Sequence, residues 1–134
     1  MRKILLDFMW VGLAGSLGAM ARLGVSRLFS WSDYPLGTLL INVTGSLFLG
    51  WFMMLIGERV IVSDTVRLAV AVGFVGAYTT FSTYMFESDK MIQDGSWWRA
   101  TGYLVASLAL GLIAVRMGAI LGRQTSVLIH WMAR

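Results

Sequence analysis

Four apolar runs, at residues 8–29, 36–57, 65–86 and 97–121, take up most of this 134-residue chain. Each has roughly the 20 residues that a helix needs to cross a bilayer. The links between them are too short to fold by themselves. A soluble domain of this size carries about 25% charged residues, whereas this chain has 13% charged and 57% hydrophobic residues. So small a globule has no interior large enough for that surplus. The sequence therefore predicts an all-α integral membrane protein, with four transmembrane helices in a single domain spanning 1–134.

The same composition excludes several functions. There are no cysteines, so disulfides and thiolate metal sites are ruled out. The single histidine, His130, cannot provide paired haem ligands, and a facial triad needs a second. No carboxylate lies in the middle of a span, where a proton-coupled antiporter would need one. No nucleophile sits beside a base, so no enzyme activity is expected. The net charge of +4 is scattered and forms no basic face, which suits a membrane surface and not nucleic acid. Met1-Arg2-Lys3 leads into a run too long for a signal peptide and without a clear cleavage site. Arg2, Lys3, Arg59, Arg67, Arg116, Arg123 and Arg134 fall on one side of the four-span topology, and Arg27, Lys90 and Arg99 on the other. This count leans towards cytoplasmic termini.

Along the chain, Gly12, Gly15 and Gly18 give the first span a smooth side for close helix packing. Trp31 and Tyr34 suit the headgroup level, and Pro35 can open the second helix because its missing N–H has no partner there. Thr38, Asn42, Gly45 and Leu49 draw a strip at helical spacing across the second span. Ser63 or Asp64 is placed to cap the third. In the fourth span, Tyr103, Ser107 and Gly111 share a face, while Gly118 and Gly122 form a GxxxG pair. The tail after Leu121 is expected to lie along the interface.

Polar side chains concentrate in residues 73–87, GFVGAYTTFSTYMFE. Thr79, Thr80, Ser82 and Thr83 put four hydroxyls into five residues of a run that should be hydrocarbon. They can bond back to their own helix's carbonyls, which explains one or two of them more easily than four. Phe81 and Tyr84 lie three apart, on one helix face. They suit ordinary packing, or the holding of an anion at their electropositive ring edges. Asn42 suits helix–helix glue and anion donation equally. Arg22 can snorkel, or act as a fixed charge in a vestibule. Glu87 fits a solvated helix end, or a cap for polar partners at a cavity mouth.

With these residues laid out, the chain resembles the Fluc family of fluoride channels over nearly its whole length. The resemblance rests on the glycine-rich first span with Arg22, GTLLIN ending in Asn42, GAYTTFSTY followed by Glu87, and the Tyr103–Ser107 pair. The TTFST motif preceded by glycine is the most specific of these. The resemblance implies passive export of F⁻ from the cytoplasm, across the inner (plasma) membrane of a bacterium, through two pores in an antiparallel, dual-topology homodimer. It implies a third helix broken near its middle, with the Gly76 and Thr79 carbonyls holding a structural Na⁺ at the dimer centre. It places Asn42, Phe81, Tyr84, Ser82, Thr83, Tyr103 and Ser107 on the fluoride pathway and Arg22 in the vestibule. Tyr84 stands where the family pattern has phenylalanine. Its hydroxyl has three expected fates: donating to fluoride, filling the pore, or bonding elsewhere. A dual-topology small-molecule exporter and a non-conducting membrane scaffold are the alternatives. The first would need a carboxylate in the first span, and none is present.

Overall fold

The computed structural model describes residues 1–58 and 62–132. Arg59 and Arg134, and the middle of the link between the second and third spans, lie outside them. Among the described residues, four segments are long and apolar enough to cross a membrane: Arg2–Leu28, Leu36–Gly57, Asp64–Gln93 and Trp97–Met132. The first is α1, Arg2–Leu28, and the second is α2, Leu36–Glu58. The third is divided into α3 (Asp64–Leu68), a π-helical stretch (Ala69–Val75), α4 (Gly76–Tyr78) and α5 (Phe81–Gln93). The fourth is one 36-residue helix, α6, Trp97–Met132.

Local chemistry accounts for the ends. The Ser63 hydroxyl accepts from the Val66 amide and caps α3. Lys3 lies 3.6 Å from Asp64, and Thr65 donates to Asp7 at 2.6 Å, so the start of α1 is tied to the start of α3. α5 ends in a Schellman turn: Gly95 takes φ 74°, with Ser96 N–H donating to Met91 O and Gly95 N–H to Ile92 O. This turn, and not a long loop, reverses the chain into α6. The third apolar run stops at Phe86 and the residues from Ser88 read as a loop, but α5 continues through Ser88–Gln93. Likewise α6 runs unbroken past Leu121 to Met132, and the tail expected along the interface continues the fourth span's own helix.

Backbones approach at glycine. A side chain at Gly18 would run into the Phe74 carbonyl, and one at Gly73 would come within 2.7 Å of Val11 O. α1 therefore rides on the π-helical stretch through two glycines, with the Gly15 face alongside. Between α2 and α6, Gly50 abuts Val115 O, while Gly118 and Gly122 abut the backbone at Leu47 and Trp51. Where lipid replaces water, such packing is a main source of helix association. Short links alternate the direction of successive spans, so α2 and α6 run parallel to each other.

Candidate functional site

The site begins at a break in the third span. Thr79 and Thr80 leave the helix, with φ/ψ of −77°/158° and −150°/117°. In a continuous helix the Gly76 carbonyl would accept from the Thr80 amide, and the Thr79 carbonyl from the Thr83 amide. Both amides are diverted. Thr80 N–H donates to Asn42 Oδ1 at 2.9 Å, and Thr83 N–H donates to Thr80 Oγ1 at 3.2 Å. Asn42 Nδ2 in turn donates to Thr80 O at 3.1 Å. The carboxamide pairs with Thr80 as a neighbouring strand would. Backbone groups left unpaired in hydrocarbon cost several kcal/mol each, so this one side chain offsets much of the expense of the break. The helix-glue reading of Asn42 thus has a definite geometry. One of its two N–H groups is not used by Thr80.

The four crowded hydroxyls divide by task. Thr79 bonds back to its own helix, at Val75 O, 2.9 Å. Thr80 caps α5 and donates to Thr83 Oγ1 at 2.9 Å, leaving the Thr83 proton uncommitted. Ser82 lies exposed beside Thr83. Ser82, Thr83 and Thr80 line a cavity of about 370 Å³ with Thr38, Ser26 and Arg22. No hydrogen bond or ion pair joins Arg22 to another described residue. Arg22 thus lines a polar hollow and pairs with no carboxylate among the described residues.

On the other side of the break a cleft of about 460 Å³ opens between α2, α5 and α6. Asn42, Ser46, Thr80, Phe81, Tyr84 and Ser107 are among the residues lining it. Phe81 and Tyr84 meet at 6.0 Å between ring centroids, tilted by 60°. They differ in burial: Phe81 is 71% exposed on the outer surface of the chain, and Tyr84 only 4%. The Tyr84 hydroxyl donates to Leu104 O on α6 at 2.8 Å. Of its three expected fates, it takes the last. An edge-on contact at 5.1 Å joins Tyr84 to Tyr103, and another at 5.6 Å joins Tyr103 to Tyr34.

Glu87 is no solvated helix end. Its two oxygens accept from Thr38 Oγ1 at 2.7 Å and from the Tyr103 hydroxyl at 2.8 Å. Sequence reading could not pair these groups, because they come from three helices. Ser107 has a different standing. Its Oγ is closed off from solvent and, among the described residues, has no hydrogen-bond partner. Of the residues first singled out, Asn42, Phe81, Tyr84 and Ser107 come together at the cleft, and Arg22, Ser82 and Thr83 at the polar hollow. Thr80 lines both. Ser46 was missed. Its signal was available, since it follows Asn42 by one turn on the same face.

Residues 9–119 match the family described as CrcB-like protein, Camphor Resistance (CrcB). The chain belongs to the CrcB family. Similar relatives include a Koribacter versatilis protein named fluoride-specific ion channel FluC, 46% identical over 81% of this chain and 89% of its own length. Proteins of the same name from Acidobacterium capsulatum and Trichormus variabilis are 40% and 43% identical, covering 89% and 84% of this chain and 98% and 85% of their own. With its four spans, this CrcB member is a multi-pass protein of the bacterial plasma membrane.

Proposed function

We propose that the chain is a passive, fluoride-selective channel carrying F⁻ out of the cytoplasm, working as an antiparallel homodimer with two pores. The observation that carries this is the set of neutral donors at membrane depth beside an exposed ring edge: the spare Asn42 N–H, the Thr83 and Ser107 hydroxyls, and Phe81. Fluoride is small and strongly hydrated. A path for it must replace water with donors while no single site holds it tightly. Several weak stations in series meet both demands. Fixed carboxylates along the path would repel it. Glu87, the carboxylate nearest the path, is occupied by two hydroxyls.

A second copy of the chain would complete the site. Gly76, Phe81, Ser82 and Thr83 are exposed on the single chain, and hydroxyls and irregular backbone at membrane depth need protein or water around them. The Gly76 and Thr79 carbonyls fit a small hard cation, since each has lost its helical amide to another acceptor. Two such pairs from two copies would hold a structural Na⁺, which would supply charge to bind the broken helices together. The test is efflux of fluoride from proteoliposomes, read with a fluoride electrode. Rapid release from vesicles carrying purified protein is expected, slowed when Na⁺ is withdrawn. Retention equal to that of empty vesicles contradicts the channel; efflux indifferent to Na⁺ contradicts the cation site alone.

A further inference from the structure

α2 and α6 run side by side in the same direction, and their facing polar residues form rungs four residues, about 6 Å, apart. At the first rung Thr38 and Tyr103 share Glu87. Four residues further along each helix come Asn42 and Ser107, both lining the cleft. Four further again come Ser46 and Gly111, in the same wall of the cleft. At this third rung α6 offers no side chain, and the Ser46 hydroxyl fills that space: it lies 3.8 Å from where a Cβ at Gly111 would be. No hydrogen bond joins Ser46 to another described residue. One turn below, Ser107 Oγ is buried with no partner among the described residues, in a residue only 9% exposed. Serines on membrane helices ordinarily bond back to their own carbonyls, as Ser16 and Ser88 do here. Two adjacent hydroxyls that do not are donors held in reserve.

We propose that Ser46 is an anion-binding station on the transport path, supplying with Ser107 a pair of hydroxyl donors to a small, strongly hydrated anion one turn beyond Asn42. The proposal rests on the fluoride-channel reading and adds a residue to it. With glycine at 111, no α6 side chain lies over the Ser46 hydroxyl, which sits 3.8 Å from the place of a Cβ there. The same geometry provides a rescue. A Cβ at Gly111 meets no atom closer than 3.8 Å, so a serine there can return from α6 the hydroxyl removed from α2.

The experiment compares fluoride efflux from proteoliposomes for the parent, Ser46→Ala, Ser46→Thr and the double variant Ser46→Ala with Gly111→Ser. Gel filtration in detergent checks assembly of each. The expected result is a 3- to 10-fold slowing in Ser46→Ala alone, with Ser46→Thr and the double variant within about twofold of the parent; such a factor corresponds to about 1 kcal/mol, the size of one hydrogen bond. An Ser46→Ala protein as fast as a conducting parent overturns the proposal and leaves the channel intact. A slowing that neither rescue variant restores also overturns it, because that loss would come from packing. A parent that passes no fluoride overturns both readings together.

Discussion

The α2–α6 interface has two unlike halves. From Leu47 to Leu55 on α2, and from Val115 to Gly122 on α6, backbone lies against backbone at Gly50, Gly118 and Gly122. From Thr38 to Ser46, and from Tyr103 to Gly111, the same two helices face each other across hydroxyls, a carboxamide and a cleft. The first half has closeness, with one indole donor at its far end, where Trp51 Nε1–H reaches Thr125 Oγ1 at 3.3 Å. The second has donors and space. A helix pair in lipid can be held by close packing at one end, which leaves the other end free to keep polar groups that packing alone would exclude. The break at Thr79–Thr80 sits against the polar half, where Asn42 can reach it.

The most severe damage is expected in the close-packed half. Gly118→Leu would force a side chain into the Leu47 carbonyl, and the expected outcome is loss of the folded protein, seen as aggregation on gel filtration. In the polar half, Asn42→Ala should leave assembled protein but lower fluoride efflux at least 100-fold, since it removes the clamp on Thr80 and a donor together. Phe81→Ile keeps an apolar side chain and loses the ring edge, so efflux should fall about 10-fold with stability unchanged in thermal melts. The smallest effect is expected for Tyr84→Phe. Its hydroxyl is spent on Leu104 O, so efflux should stay within twofold, while stability drops by about 1 kcal/mol as one hydrogen bond is lost. A large change in efflux would place that hydroxyl in the path.

Much of this was legible in the sequence. The four spans follow from the length of the apolar runs, and the break lies inside the stretch where hydroxyls crowd. Ser63 is the cap its position suggested. What was not legible depends on partners distant in sequence. Nothing local to Glu87 announces Thr38, 49 residues away, and nothing in Tyr84 announces Leu104. AVAVGFV reads as any apolar helix, and its π-helical form arises where it packs on Gly15 and Gly18. The length of α5 was misjudged because polar residues after Phe86 read as loop, although none of Ser88–Gln93 is a helix breaker. Ser46 was legible as a position, one turn past Asn42 on the same face, but its part was not until Gly111 is seen opposite it.

In the proposed channel, neutral donors and ring edges replace the water around a small halide, and around no larger one. Proteoliposomes loaded with equal fluoride and chloride, and followed with both ion-selective electrodes, test it most directly. Fluoride is expected to leave within seconds of opening a counter-ion path while chloride stays inside. Release of both ions at similar rates, or of neither, would contradict it.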